Sequence, residues 1–79
     1  MIVIDVREEL EYLKDGHIKG SVNIPLSKIG EKISIFNKDQ DIVLVCKSGK
    51  RAGVAVELLK ELGYSNVKNG GSFSSFQKE

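Results

Sequence analysis

The stretch around the chain's single cysteine reads Val43-Leu44-Val45-Cys46-Lys47-Ser48-Gly49-Lys50-Arg51-Ala52-Gly53. Residues 42–45 form an apolar run that predicts a buried strand, and a helical pattern starts at Lys50. The polar loop between these two elements therefore lies at the carboxyl end of a strand, where open α/β sheets bind their ligands. The amino end of the helix points back at this loop, and its free N–H groups favour an anion there.

Cys46 directly follows the predicted strand, and its position favours the thiolate form of its side chain. A helix amino end and the neighbouring cations Lys47, Lys50 and Arg51 all lower the pKa of a thiol, and the thiolate is the nucleophilic form. A lone cysteine is more often a small buried hydrophobic residue, which the apolar strand would suit. Because three basic residues and Gly49 follow the thiol, we predict that Cys46 is a nucleophile.

Length and composition limit the possible classes of protein. Seventy-nine residues allow one small domain, predicted to span residues 1–79, and 41% hydrophobic content is enough for a folded core. The net charge of +1 gives no argument for nucleic acid, and no apolar run approaches the roughly 20 residues of a membrane span. One cysteine excludes an internal disulfide and a cysteine-based zinc site. We predict no metal, no cofactor and, because no signal peptide is visible, a cytoplasmic setting.

The first half of the chain predicts one long strand and two helices. Residues 2–6 are nearly all apolar, which is typical of a strand buried on both faces of a parallel sheet. Residues 7–13 predict a short helix that presents three residues to the core: Leu10, Tyr12 and Leu13. Pro25 predicts a short extended piece within residues 17–25. Ser27 is the expected N-cap of the second helix, which carries Ile29 and Ile33.

The second half predicts a strand, a long helix and a short strand. The helix covers residues 50–62 and ends at Gly63, with one apolar face made of Val54, Ala55, Leu58, Leu59 and Leu62. Residues 66–68 predict a strand, residues 69–71 a turn, and residues 72–78 a final helical turn with Phe73 and Phe76 facing inward. Strands and helices alternate, so the predicted class is α/β with a parallel sheet.

Short blocks of sequence form an ordered set of motifs along the chain. The blocks are Asp5-Val6-Arg7-Glu8, Glu11-Tyr12, Gly16-His17-Ile18-Lys19-Gly20-Ser21-Val22-Asn23-Ile24-Pro25, the loop from Cys46 to Arg51, Gly63-Tyr64 and Gly70-Gly71. No single block is decisive, but the ordered set is highly specific. It resembles the single-domain rhodanese family of sulfurtransferases over nearly the whole chain.

The resemblance implies a fold, a nucleophile and a binding loop. The fold is rhodanese-like, with a small parallel β-sheet flanked by helices on both faces. Cys46 would form a persulfide, and the backbone N–H groups around its sulfur would come from Lys47, Ser48, Gly49, Lys50 and Arg51. The structural and rim part of the site would contain Asp5, Arg7 and Glu11. The strand and helix that usually precede the Asp-Val-Arg block are absent, and Phe76 is the nearest candidate for a usual tryptophan.

Such a site is suited to sulfur transfer. In the implied reaction the Cys46 thiolate attacks the outer sulfur of a thiosulfate-like donor, sulfite leaves, and the persulfide passes its outer sulfur to an acceptor. Backbone N–H groups stabilise the anions without a general base, while Lys47 and Lys50 attract a small dianion. The sequence leaves the donor open between thiosulfate, a cysteine-desulfurase persulfide and polysulfide. It leaves the acceptor open between cyanide, thioredoxin and glutathione.

Several charged side chains have structural interpretations, which we favour. Asp5 and Arg7 are expected to form a structural ion pair. His17 is expected to be a hydrogen-bonded structural histidine and not a catalytic base. Glu11 has a plausible partner in Arg7, four residues earlier, whereas the neighbouring glutamates would form a solvated face.

Two other functions stay open at this point. Phosphatases and arsenate reductases of a rhodanese-like fold use a loop of cysteine, five residues and arginine, but only four residues separate Cys46 from Arg51. The shorter loop favours one sulfur atom over a tetrahedral phosphate. The second alternative is a non-catalytic sulfur carrier or binding module, which the presence of Cys46 does not separate from a catalyst.

Overall fold

Four parallel strands form one sheet in the computed structural model, which describes residues 1–76 of the chain. The strands are β1 (Ile2–Asp5), β2 (Val22–Asn23), β3 (Ile42–Cys46) and β4 (Val67–Ser72). Their order across the sheet is β2-β1-β3-β4, and every neighbouring pair is parallel. Parallel neighbours need crossover connections. The connections contain α1 (Glu9–Lys14), then α2 (Leu26–Lys32) with the 3-10 turn Ile33–Ile35, then α3 (Lys50–Glu61).

The central strands β1 and β3 are covered on both faces of the sheet. All five residues of β3 are buried, as are three of the four in β1. Side chains alternate between the two faces along a strand. Leu44 and Cys46 therefore belong to one core cluster, whereas Val43 and Val45 belong to the other. This arrangement confirms the prediction that apolar runs at both positions form central strands of an α/β sheet.

The face that contains Cys46 has the larger core, which α2 and α3 cover. Tyr64 closes this core at one end, with its buried hydroxyl 2.9 Å from the carbonyl oxygen of Ile33 and 3.0 Å from that of Phe36. Fully burying one aliphatic side chain stabilises the fold by about 1.5–3 kcal/mol. Because this cluster contains many more buried side chains than the one on the opposite face, it contributes most of the hydrophobic stabilisation. The buried helical residues on it are Ile29, Ile33, Ala52, Ala55, Val56 and Leu59.

The opposite face has a smaller core made of Val3, Val43 and Val45. Phe73 and Phe76 pack against it as partly buried side chains, which confirms their predicted inward packing. Gly70 permits this close packing, because a Cβ there would lie 2.6 Å from Val43 Cγ1 and 3.1 Å from Phe76 Cδ1.

The first helix differs from its prediction in both its start and its packing. α1 begins at Glu9, so Arg7 lies before it, and none of its six residues is buried. The side chains of Leu10 and Leu13 are 65% and 62% exposed, so the prediction that they face the core was wrong. Their spacing gave α1 an apolar stripe, but its six residues do not pack into either core cluster.

The other two helices have the predicted positions and somewhat different details. Pro25, and not Ser27, is the N-cap of α2, because Ser27 already lies inside the helix. In α3, Val54 is 58% exposed, whereas Ala52 and Val56 are buried. The helix therefore presents a face to the core that is rotated from the predicted one and consists of Ala52, Ala55, Val56 and Leu59. Within residues 1–76, no helix combines the length and apolar character that a membrane crossing requires.

The strand β4 continues through the double glycine, so the prediction of a turn at residues 69–71 was wrong. Leu44 pairs with Asn69 and Val45 pairs with Gly71, which leaves Gly70 as the extra residue of a β-bulge. A turn follows, in which the Phe76 N–H donates to the Ser72 carbonyl at 3.0 Å. The rest of the helical turn predicted for residues 72–78 lies outside the described residues.

Candidate active site

Cys46 is the last residue of β3, and its side chain is buried as a free thiol. Residues 47–49 form the loop that follows, and α3 begins at Lys50. The Cys46 carbonyl accepts a hydrogen bond from the Phe73 N–H at 2.8 Å, which ties the end of β3 to the end of β4. The thiol thus lies between the carboxyl edge of the sheet and the amino end of a helix.

Backbone N–H groups of the loop and of the first helical turn point at the sulfur. The Gly49 N–H donates to Cys46 Sγ at 3.0 Å, and the Ala52 N–H does so at 3.4 Å. Gly49 has φ of +97°, a left-handed conformation that glycine adopts without steric strain. The predicted set of N–H groups ended at Arg51, so the sequence analysis missed Ala52, which the first turn of α3 brings to the sulfur.

Two opposing effects set the pKa of the Cys46 thiol. Burial is the largest single effect and raises the pKa. Hydrogen bonds from backbone N–H groups lower it, and together they outweigh burial, so the pKa falls below its ordinary value. The direction agrees with the prediction from the sequence. The N–H groups belong to Ala52, Gly49, Ser48 and Arg51.

Lys47, Ser48 and Lys50 have exposed side chains on the loop and at the start of α3. These three side chains are open to solvent beside a buried sulfur. The positive charges of Lys47 and Lys50 lie within four residues of Cys46 and favour the approach of an anion to the loop.

The Arg51 side chain, predicted to be one of the cations beside Cys46, pairs with Glu11. Arg51 Nη1 donates to Glu11 Oε1 at 2.6 Å, and Nη2 donates to Oε2 at 3.0 Å. The hydrogen bond from Arg51 is the main reason that the pKa of Glu11 falls to about 2. The predicted pairing of Glu11 with Arg7 was wrong. Arg7 precedes α1, so the spacing of four residues does not place its guanidinium beside the Glu11 carboxylate.

Arg7 and Asp5 form the buried ion pair that the sequence predicted. Arg7 Nη2 lies 2.7 Å from Asp5 Oδ2, and the two side chains are 1% and 0% exposed. The Arg7 guanidinium also donates to the Gly16 carbonyl at 2.8 Å and stacks over the Phe73 ring at 3.6 Å. Asp5 also pairs with Val45 across β1 and β3, and the Phe73 N–H donates to the Cys46 carbonyl, so the ion pair borders the end of the strand that contains Cys46.

The sequence profile of the rhodanese-like domain matches residues 1–79. The chain belongs to the rhodanese-like domain family. The family and the α/β fold class predicted from the sequence are therefore confirmed.

Relatives of this rhodanese-like domain include sulfurtransferases. Over 70 residues it is 37% identical to the thiosulfate sulfurtransferase PspE of Escherichia coli strain K12, covering 86% of this chain and 66% of PspE. Over 67 residues it is 37% identical to YrkF of Bacillus subtilis strain 168, provisionally named a sulfur carrier protein, covering 85% of this chain and 36% of YrkF. The chain thus spans less than two thirds of each of these two relatives.

The fold is similar to that of solved rhodaneses. A structure of a rhodanese with anions from E. coli superimposes with a TM-score of 0.87 at 32% identity. The match covers 99% of this chain and 93% of that one. The similarity therefore includes every strand and helix described above.

The His17 side chain of the rhodanese-like domain contacts Tyr12. Its Nδ1 lies 2.7 Å from the Tyr12 carbonyl oxygen, and its ring stacks on the Tyr12 ring at 3.7 Å. These contacts confirm the interpretation of His17 as a structural histidine. In the part of the chain that the structure describes, no group of three or more His, Cys, Asp or Glu residues could hold a metal ion.

Asn69 contacts the loop of the rhodanese-like domain, although the sequence analysis placed it in a turn. Its Nδ2 donates to the Gly49 carbonyl at 2.9 Å. Asparagine readily forms side-chain hydrogen bonds to backbone groups, but the partner here is 20 residues away in the chain. The sequence alone therefore gave no signal for this contact.

Proposed function

We propose that this rhodanese-like domain transfers a sulfane sulfur from an anionic donor, such as thiosulfate, to cyanide or a thiol through a persulfide on Cys46. One observation carries the proposal: the N–H groups of Gly49 and Ala52 lie 3.0 and 3.4 Å from Cys46 Sγ. Such N–H groups stabilise negative charge on sulfur without a general base. Both the resting thiolate and the persulfide carry that charge.

In the first half-reaction, the Cys46 thiolate attacks the outer sulfur of thiosulfate. The bond between the two sulfur atoms of thiosulfate breaks, and sulfite leaves with the electron pair. A new bond forms between Cys46 Sγ and the transferred sulfur, which then carries one negative charge. One thiolate and one dianion thus become one persulfide anion and one dianion, so charge and electrons balance.

In the second half-reaction, the acceptor attacks the outer sulfur of the persulfide. With cyanide, a carbon–sulfur bond forms, thiocyanate leaves, and the electron pair of the broken bond returns to Cys46 Sγ as thiolate. The cycle starts from a free thiol, so the proposal includes a reducing, cytoplasmic setting. Because the thiol is only 1% exposed, the outer sulfur, placed about 2 Å farther out, is the atom that an acceptor can reach.

The exposed side chains on the loop are suited to bringing the donor in. Lys47 and Lys50 raise the local concentration of a small dianion by electrostatic attraction. Ser48 offers one hydroxyl to the sulfonate end of thiosulfate. In this proposal the side chains attract and orient the donor, whereas the backbone N–H groups hold the charge that develops on Cys46.

The pairing of the Arg51 guanidinium does not favour the function of a phosphatase or an arsenate reductase. An arginine that binds phosphate needs its fork of N–H groups free for the oxygens of the ligand. Here both Arg51 Nη atoms donate to the Glu11 carboxylate. Only four residues lie between Cys46 and Arg51, and such a short loop favours one sulfur atom over a tetrahedral phosphate. We therefore expect no hydrolysis of aryl phosphates.

A sulfur carrier without turnover is the second candidate function, and the similarity to YrkF supports it. A carrier and a catalyst would share the first half-reaction and the same loop. They differ in whether small acceptors complete the cycle, because a carrier, loaded by a small donor or by a cysteine-desulfurase persulfide, releases its sulfur only to a specific protein acceptor such as thioredoxin.

Mass spectrometry after incubation with thiosulfate tests the shared step. We expect the intact mass to rise by one sulfur atom in the wild type and to stay unchanged in Cys46→Ser. An adduct that persists in Cys46→Ser would contradict the role of Cys46. Steady-state formation of thiocyanate from thiosulfate and cyanide then identifies a catalyst, whereas a stable persulfide without turnover identifies a carrier. Hydrolysis of an aryl phosphate faster than sulfur transfer would refute both.

A further inference from the structure

The side-chain amide of Asn69 joins two backbone segments that are separate in sequence. Its Nδ2 donates to the Gly49 carbonyl at 2.9 Å, on the loop that follows Cys46. Its Oδ1 accepts from the Gly71 N–H at 2.8 Å, on β4. The amide therefore uses a donor on one segment and an acceptor on the other, and it links the loop to the edge strand of the sheet.

Two glycines let the loop and α3 approach this exposed amide. A Cβ on Gly53 would lie 3.3 Å from Asn69 Nδ2, and a Cβ on Gly49 would lie 3.7 Å from Oδ1 and 3.3 Å from the Gly71 Cα. A side chain at position 53 would therefore crowd the amide, and one at position 49 would crowd the backbone of β4.

Gly49 contacts both Asn69 and the sulfur, and it is therefore the link between them. The N–H of Gly49 donates to Cys46 Sγ at 3.0 Å, while its carbonyl accepts from Asn69 and from the Gly53 N–H at 2.9 Å. Glycine has the widest backbone freedom of any residue, so its conformation depends on outside contacts. The bond from Asn69 fixes one end of Gly49 and thereby restricts the direction of the N–H at the other end.

We propose that Asn69 is a positioning residue of the sulfur-binding loop, which holds Gly49 so that its N–H stays directed at Cys46 Sγ. The inference rests on the proposed function, because it assigns the Asn69 amide a part in stabilising the thiolate and the persulfide. In this role Asn69 acts through Gly49, since the hydrogen bonds to Cys46 Sγ come from Gly49 and Ala52.

The test compares Asn69→Ala with Asn66→Ala, a matched control from the same edge of the sheet. Asn66 lies just before β4, and its Nδ2 donates to the Asp39 carbonyl at 2.8 Å, so Asn66→Ala deletes one exposed side-chain to backbone hydrogen bond where Asn69→Ala deletes two. The readout is the pH midpoint of Cys46 alkylation by iodoacetamide. We expect Asn69→Ala to raise the midpoint by about half a unit to one unit, as for one weakened hydrogen bond to the thiolate. Asn66→Ala should leave it unchanged.

The variant Asn69→Asp tests the two hydrogen bonds of the amide separately. Aspartate has nearly the same size as asparagine, so this variant also provides the test if Asn69→Ala does not fold. The carboxylate still accepts from the Gly71 N–H but cannot donate to the Gly49 carbonyl. In about 1 M salt, which limits the reach of exposed charges to about 3 Å, we expect the midpoint to rise as in Asn69→Ala. A wild-type midpoint in Asn69→Asp would overturn the proposal, because the bond to Gly49 would then be dispensable.

Alkylation needs no sulfur donor, so this inference and the proposed function fail separately. If the wild type forms no persulfide but Asn69→Ala alone shifts the alkylation midpoint, the positioning role stands and the sulfurtransferase proposal does not. If the wild type transfers sulfur and Asn69→Ala matches it in alkylation midpoint and in kcat/KM, the positioning role is refuted. If both hold, kcat/KM measured at a pH below both midpoints should fall about 3- to 10-fold in Asn69→Ala, in line with the smaller thiolate fraction.

Discussion

Arg7–Asp5 and Arg51–Glu11 are both close arginine–carboxylate pairs, with shortest contacts of 2.7 and 2.6 Å, but they lie in different surroundings. The side chains of the first pair are 1% and 0% exposed, and those of the second are 35% and 28% exposed. The first pair joins residues two apart at the end of β1, whereas the second joins α1 to α3 across 40 residues. Burial, and not the contact distance, therefore distinguishes their roles.

The buried pair belongs to the framework that supports β1, because each partner also contacts backbone groups. The Asp5 carboxylate accepts from the Arg7 backbone N–H at 3.0 Å, and Asn23 donates to the carbonyls of Asp5 and Arg7. The exposed pair has fewer such contacts and links α1 to the first turn of the helix that follows the loop. We expect it to act on the loop more than on the fold.

The largest expected effect is the loss of stability in Asp5→Asn. Removing one partner of a buried ion pair leaves an uncompensated charge, here on Arg7, and typically costs about 3–5 kcal/mol. A domain of this size has a total stability of only about 4–12 kcal/mol, so the variant should be close to unfolding. Urea denaturation followed by circular dichroism measures the change. A loss below about 1 kcal/mol would mean that the buried pair behaves like an exposed one.

The same contrast between local and distant contacts explains which parts of the fold could be predicted. The strands that became β1 and β3, the loop after Cys46 and the start of α3 depend on short runs of sequence, and all of them were predicted. The core face of α1 was not, because the exposure of Leu10 and Leu13 depends on whether another element covers them. The turn predicted at residues 69–71 is a strand because β3 offers it a partner.

The candidate site divides in the same way. The Asp5–Arg7 pair spans two residues and was predicted, whereas the partner of Glu11 lies 40 residues away and was assigned wrongly. Asn69 was missed for the same reason, since its contact with Gly49 exists only once β4 lies beside β3. Ala52 was missed because the predicted set of N–H groups ended at Arg51, one residue too early. Sequence spacing thus predicted that Cys46 ends a buried strand and precedes a helix, but it did not predict the long-range contacts around the loop.

A smaller effect is expected for the coupling between Glu11 and Arg51. A double-mutant cycle with Glu11→Gln and Arg51→Gln should give about 0.5–1 kcal/mol, because solvent screens a pair that is about one third exposed. The more exposed pair of Glu57 and Lys60, with a contact of 4.0 Å, is the control and should couple by less than about 0.5 kcal/mol. A coupling energy above about 2 kcal/mol would mean that the Glu11–Arg51 pair stabilises the fold as a buried ion pair does.

The smallest expected effect is the pH dependence that Glu11 adds to stability, because solvent screening of this partly exposed pair keeps it no larger than the coupling energy above. Its pKa is lowered from 4.5 to about 2 in the folded protein, mainly by the hydrogen bond from Arg51. A carboxylate with a depressed folded pKa stabilises the fold above the unfolded value, and this contribution is lost as the pH falls through the folded value. The difference in stability between the wild type and Glu11→Gln should therefore be constant above about pH 5 and shrink from about pH 4.5 towards pH 2.

Thermal unfolding of both proteins across this pH range measures that difference, with Glu57→Gln as the reference for an exposed carboxylate. Other acidic groups titrate in the same range, but they are common to the wild type and Glu11→Gln and cancel in the difference. A difference that stays constant down to about pH 3 would mean that the Glu11 carboxylate gains nothing from Arg51. The contact between Glu11 and Arg51 would then add nothing to the free energy of unfolding. The loop would in that case be held by Asn69 and by the first turn of α3.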